Sequence, residues 1–402
     1  MNFSLFYHSL ESDWNHGNAH FLRGVVSELQ ELGHRVRVFE PSSGWSRKNL
    51  IKEHGPSALK QFRDKYPHQE STMYDRRTLD LEKVAADSDV IIVHEWNEPW
   101  LVNGLGLLHN RLQRNGGSQN FSLLFHDTHH RSISDPAWLR RFRLEYYDGI
   151  LAFGEVLSGI YREHGWSDSV WTWHEAADIR RFFPHYPVFD YPFGDLVWIG
   201  NWGDNERARE LERFLFRPVR ELGLNCHIYG VRYPRKILRR LKRKGIDYCG
   251  WLPNFQVPEV FANHAVSVHV PRRIYASELP GIPTIRPFEA LACGIPLITS
   301  PWQDCEGLFE SGKDYLVAHD SDEMQLHLRT ILHDSDFALQ LAAHGLATIR
   351  ENHTCAHRVN QLLQILADQK IEGFEREELP SPLYEKNTAN DNSIRRKKHV
   401  TG

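Results

Sequence analysis

The chain has 402 residues, 41% of them hydrophobic, which is more than one core usually holds and enough for two. Its 48 Lys and Arg face 52 Asp and Glu, a formal net charge of −4, so a general nucleic-acid binder held by phosphate contacts is not expected and no nucleic-acid partner is assigned. No apolar run is long enough to span a bilayer, and residues 1–8 lack a signal peptide's basic start and long apolar stretch, so a soluble cytoplasmic protein with no transmembrane segment is expected.

Apolar runs alternate with amphipathic stretches, the pattern of doubly wound parallel sheets. A strand is predicted over 3–7, then a polar loop, a helix over 19–32 and a strand over 35–40, which makes a βαβ start. Further strands are predicted over 90–93, 122–125 and 149–153, each followed by a helix. These define one Rossmann-like domain over residues 1–180. Prolines at 184, 187 and 192 break helix and sheet alike, and 181–194 is assigned as a linker.

A second domain, 195–353, repeats the theme with strands over 196–199, 226–229, 266–270 and 297–299. The basic helix over 236–244 is assigned as a solvated face. Helices follow over 323–332, 336–350 and 356–369, and the charged segment 372–402 is expected to be disordered. All five cysteines (Cys226, Cys249, Cys293, Cys305, Cys355) lie in the second half with no Cys-x-x-Cys spacing, which points to reduced thiols. The 24 histidines raise the question of a metal.

The most informative segment is Arg286-Pro287-Phe288-Glu289-Ala290-Leu291-Ala292-Cys293-Gly294-Ile295-Pro296-Leu297-Ile298. It places a carboxylate near the start of a short apolar helix, offers Gly294 as a left-handed cap, and continues into a buried strand. A helix N-terminus presents unpaired N–H groups to a diphosphate, and a carboxylate beside it can accept hydrogen bonds from ribose hydroxyls. An ordinary helix–strand unit with an exposed glutamate would share this periodicity.

This segment resembles the phenylalanine/leucine-glutamate-alanine element of GT-B glycosyltransferases of the family-4 type, closest to the spore-maturation CgeB-like group. Asp195-Leu196-Val197-Trp198-Ile199-Gly200-Asn201-Trp202, the stretch from Arg207 to Arg213, and His227-Ile228-Tyr229-Gly230 resemble the opening of that group's donor-binding domain. The resemblance covers most of 195–320 and extends more weakly through the first half. It implies an α/β GT-B fold in which two Rossmann-like domains face a cleft, with C-terminal helices of which one, 354–371, crosses back to the first domain. It also implies transfer of a sugar from a nucleotide diphosphate donor to an acceptor hydroxyl, with no metal and no cofactor beyond that donor.

By position, the resemblance makes Glu289 the ribose ligand. Gly17 and Asn18 match a glycine-containing turn through which backbone amides approach the donor phosphates and the acceptor. His126 matches a histidine that contacts the donor sugar near the reacting carbon. His20 stands near the place of the catalytic histidine of inverting members and can titrate near neutral pH; a cap or surface role is the alternative. Arg286 and Arg207 suit phosphate geometry, unless they pair with surface carboxylates, and Thr284 and Asn201 adjoin them. The family often has a second glutamate eight positions before the ribose ligand. Here that place is Gly281, with Glu278 as a substitute in a longer loop.

The dense run His126-Asp127-Thr128-His129-His130 leaves divalent metal binding, or a polar loop whose histidines cap the next element, as alternatives. A nucleotide-sugar epimerase and a catalytically idle GT-B protein serving in binding or assembly are the competing functions. Trp202 and Trp96 suit stacking on a sugar or base.

Overall fold

A computed structural model describes residues 1–114, 121–191, 193–203 and 205–369; the segment predicted as a disordered tail, 372–402, lies outside the described residues. The first half forms β1 (Asn2–Phe6), β2 (Arg35–Pro41), β3 (Ser71–Tyr74), β4 (Val90–His94), β5 (Ser122–Asp127), β6 (Gly149–Ala152) and β7 (Val170–Thr172). They make one parallel seven-stranded sheet in the order 3-2-1-4-5-6-7. Strands β4 and β5 are buried at every position, which explains their near-continuous apolar runs.

The second half forms β8 (Gly194–Ile199), β9 (Cys226–Tyr229), β10 (Asp247–Gly250), β11 (His264–His269), β12 (Leu297–Thr299) and β13 (Leu316–Val317). This sheet is also parallel, in the order 10-9-8-11-12-13. In each sheet the strand order reverses beside the founding strand, between β1 and β4 and between β8 and β11. Loops leaving the carboxyl ends there splay apart and open a crevice, the usual ligand site of such sheets. Two Rossmann-like sheets with C-terminal helices are thus present, as the sequence predicts.

The two halves are tied together by the last described helix, Cys355–Asp368. Thr354 caps it reciprocally with His357, and Val359, Leu362, Leu363 and Leu366 join Phe21, Leu22, Val25 and Leu29 of the helix Ala19–Glu31 in one buried core. Each fully buried leucine there contributes about 2 kcal/mol by removal of apolar surface from water. The approach is close enough to require glycine: a Cβ on Gly24 would stand 2.3 Å from Cys355 Sγ. All five cysteine thiols are free. Among the described residues no helix is long and apolar enough to cross a membrane.

Candidate active site

A cleft of about 580 Å³ lies between the two sheets and is lined from both. From the first half come the loop after β1 (Asn15, His16, Gly17, Asn18), Trp96 after β4, Thr128, His129 and His130 after β5, Phe153 after β6 and Glu175 after β7. From the second come Gly200, Asn201 and Arg207 after β8, Arg232 after β9, His269, Arg272 and Tyr275 at the end of and after β11, and Thr284, Ile285 and Arg286 at the start of the helix Ile285–Ala292. A smaller pouch of about 60 Å³ continues past Gly230, Trp251, Leu252 and Asn254. Gly17, Asn18, Asn201, Arg207, Thr284 and Arg286, all singled out from sequence, therefore share one cleft.

The second-half wall is cationic. Arg207 donates from Nη1 to Val270 O at 3.1 Å and from Nη2 to Asn201 O, while its buried Nε has no acceptor in the protein. Burial, with Arg272 and Arg286 nearby, brings its pKa down to about 10, so it stays charged at neutral pH. Arg272 is held by Glu206 and Arg286 by Glu289. Thr284, which precedes the helix, has φ of 60°, an uncommon conformation for a β-branched residue and one typical of functional sites. Gly294 caps the region beyond that helix with φ of 65°, as expected of a left-handed cap.

Glu289 is buried and lies behind this wall rather than on it. Its Oε1 accepts from Asn254 Nδ2 at 2.7 Å and stands 3.3 Å from His20 Nδ1, and its Oε2 accepts from Arg286. Burial opposes its charge, but Arg286, His20 and Asn254 outweigh burial and hold the carboxyl below its ordinary range. The Asp178 amide donates to His20 Nε2 at 2.7 Å, so the ring proton sits on Nδ1, facing Glu289. His20, expected as an acceptor base, is instead buried beside Phe182 and absent from the cleft lining.

The first-half wall is rich in histidine. Strand β5 runs two residues further than predicted, so His126 pairs in register with His94 inside the sheet. Its ring is buried against Trp173 and Phe21, and it does not line the cleft. The two extra strand residues carry the chain past the sheet edge before it turns, and Thr128, His129 and His130 form the wall there. Burial brings the pKa of His126 down to about 3, and burial with nearby cations brings His8 and His130 down to about 4. Asn18 Nδ2 donates to Thr128, joining the loops after β1 and β5. Trp96 lines the cleft and stacks with Arg131, whereas Trp202 is buried against Tyr233 in the second core. Among the described residues no group of three or more His, Cys, Asp or Glu is arranged to hold a metal ion.

Sequence reasoning missed Glu175. It borders the cleft with 2% exposure, and neither carboxyl oxygen has a hydrogen-bond partner in the protein. Burial first, and then the charge of Glu289, hold its carboxyl well above the ordinary range. The only sequence signal was the polar pair His174-Glu175 closing the aromatic run Trp171-Thr172-Trp173.

Gly281, at the place of the absent second glutamate, has φ of 87°, and a Cβ there would stand 2.8 Å from Glu306 Oε1. A glutamate at 281 would strain the backbone and would have to displace the side chains of Glu306 and Cys305. Glu278, the expected substitute, is exposed and outside the cleft lining. Glu306 itself bridges the halves, with Oε2 2.8 Å from His174 Nε2 and Oε1 accepting from the Glu155 amide at 2.8 Å.

Residues 207–364 match the model of a family described as glycosyl transferase-like. No curated protein matches the chain in sequence. Among solved structures, an alpha-glucosyltransferase in complex with UDP-glucose and DNA containing an abasic site superposes with a TM-score of 0.64 at 13% identity, covering 91% of this chain and 99% of that one. HepE of Anabaena in complex with UDP and glucose gives 0.63 at 13%, covering 91% and 99%. Sucrose-phosphate synthase of Thermosynechococcus elongatus gives 0.59 at 14%, covering 92% and 99%. At such identities the likeness establishes the fold, which is GT-B. The chain carries a glycosyltransferase-like domain on that fold.

Proposed function

We propose that the protein is a glycosyltransferase that moves a sugar from a nucleoside diphosphate donor to an acceptor hydroxyl. The observation that carries this reading is the cleft at both topological switch points, in which Arg207, Arg272 and Arg286 form one wall and neutral polar groups form the other. Three guanidiniums suit a diphosphate and the charge that develops on it as it departs, so the chemistry can proceed without a metal ion. The pouch by Gly230, Leu252 and Asn254 is the place for the nucleoside. Glu289 acts as a positioning residue that aims Arg286 into the cleft, and His20 and Asn254 steady it. The half spanning 195–353 takes the donor, and the half spanning 1–180, past the 181–194 linker, takes the acceptor.

UDP-glucose is the first donor to test, because related folds are known with UDP and UDP-glucose bound. Within its class we place the protein nearest the CgeB-like group, on residues 286–298 and 195–202. Five free thiols fit a reducing cytoplasm.

The test is incubation with a panel of nucleotide sugars led by UDP-glucose, following nucleotide release by mass spectrometry. Released nucleotide with hydrolysed or transferred sugar supports the reading. An isomerised donor would make the protein an epimerase, and binding without turnover an idle assembly subunit.

A further inference from the structure

Among the buried groups on the cleft that the proposed function leaves unused is Glu175. Glu175 has two carboxyl oxygens without a protein partner, in a structure where buried carboxylates are otherwise heavily engaged. Glu40 accepts from Leu10, Glu11 and Ser71, and Asp127 from Tyr161 and His129. Polar groups left unpaired in an interior are rare and mark strain, function or a ligand site.

The neighbours of Glu175 narrow its role. The charge that acts on it is that of Glu289, and it in turn disfavours ionisation of Tyr275. Neither of its oxygens is hydrogen-bonded by Arg207, Arg272 or Arg286. Phe153, Tyr275 and Thr284 line the same cleft, and aromatic rings beside polar groups suit the alternating C–H faces and hydroxyls of a sugar.

Its backbone is fixed from several directions. His174 Nδ1 contacts Phe153 O at 3.1 Å and its carbonyl accepts from Arg358 Nε at 3.1 Å; the Ala177 amide donates to His353 O at 2.9 Å and the Cys355 amide to Ala177 O at 2.9 Å. A side chain on so constrained a segment is pre-organised for recognition.

We infer that Glu175 is a specificity residue of the sugar subsite, its carboxyl donating one hydrogen bond to a hydroxyl of the transferred sugar and accepting another. The assignment rests on the proposed function and adds the group that distinguishes a donor sugar from its nucleotide. A neutral acid is both donor and acceptor, which matches a hydroxyl pair; a carboxylate would only accept.

The experiment is titration calorimetry of UDP and of UDP-glucose with wild type, Glu175→Ala and Glu175→Gln. In Glu175→Ala, UDP should bind within about threefold of wild type while UDP-glucose weakens by about tenfold or more, the scale of one lost buried hydrogen-bonding group. Glu175→Gln, uncharged and still donor and acceptor, should keep UDP-glucose within about threefold. UDP affinity serves as the control for folding. If Glu175→Ala binds both ligands as wild type does, or loses both equally, the assignment is wrong while the reading of the cleft stands. If wild type binds neither, the cleft reading fails and the assignment with it. A Glu175→Gln variant as weak as Glu175→Ala would overturn the neutral-acid form.

Discussion

The two walls of the cleft solve opposite electrostatic problems. The second-half wall keeps charge: Arg207, Arg272 and Arg286 are anchored by backbone carbonyls or by Glu206 and Glu289, and remain cationic. The first-half wall disfavours charge: burial lowers the pKa of His16, His129 and His130 and raises that of Glu175. The contrast teaches that charge placement here is a matter of anchoring rather than of residue type. A guanidinium is always charged, so it needs partners; an imidazole or carboxyl can give up its charge when it has none. The charged wall is suited to a nucleoside diphosphate, and the neutral one to hydroxyl groups.

The contrast breaks most visibly at Arg286. Replacing it by methionine leaves Glu289 buried without its cation, and unfolding by denaturant should show a loss of about 3 kcal/mol, with UDP affinity down by more than about tenfold. An unchanged unfolding midpoint would mean that Asn254 and His20 suffice to hold Glu289.

The buried histidines in and behind the neutral wall are tested by pH. His126, His8 and His130 titrate near 3, 4 and 4 in the folded protein, against about 6.5 in the unfolded chain. Their folded values are depressed, so the unfolded state takes up protons first as pH falls. The stability they contribute is complete above about pH 6.5 and is lost progressively down to about pH 3 to 4. Between about pH 6.5 and 5.5 each should cost about 1 kcal/mol, seen as a falling denaturation midpoint, and His126→Leu should remove one such contribution. A profile flat over that range would show that the rings are solvated.

Glu289→Gln sharpens the comparison more gently. It keeps the shape but removes the charge that aims Arg286, so UDP affinity should fall by about 1–2 kcal/mol in calorimetry with the fold intact. Unchanged binding would free Arg286 from any dependence on Glu289. The smallest effect is expected from a strong chelator. Dialysis should leave turnover of UDP-glucose largely intact, and activity restored only by added manganese or zinc would reassign the histidine wall to metal chemistry.

Legibility in the sequence followed the length of the apolar run. Strands β1, β4, β5, β8 and β9 could be read because four or more consecutive buried positions leave a run no other arrangement explains. Edge strands were not read: Ser71–Tyr74, Asp247–Gly250 and the two-residue Leu316–Val317 are partly exposed, so polar residues interrupt their pattern. Missing β7 had a further consequence. Glu175 stands just beyond β7, and the short strand Val170–Thr172, with one buried position, has no apolar run in the sequence to mark a strand end there. At His126 the difference runs the other way: polarity predicts the first loop residue, yet the sheet continues through it.

Composition and periodicity by themselves determined two parallel α/β halves and the glycine-capped helix bearing Glu289, and the family resemblance together with side-chain chemistry pointed to Gly17, Asn18, Asn201, Arg207, Thr284 and Arg286, which share the cleft. These are local properties, written in runs, breakers and strand ends. Only the tertiary structure decided that His20 and Glu289 face each other behind the wall, that His126 is sealed inside a sheet, that the backbone at 281 is in the left-handed region, and that the Glu175 carboxyl has no partner in the protein. The physical reason is that burial and pairing depend on what another part of the chain places within a few ångströms, and for each of these residues that neighbour is remote in sequence.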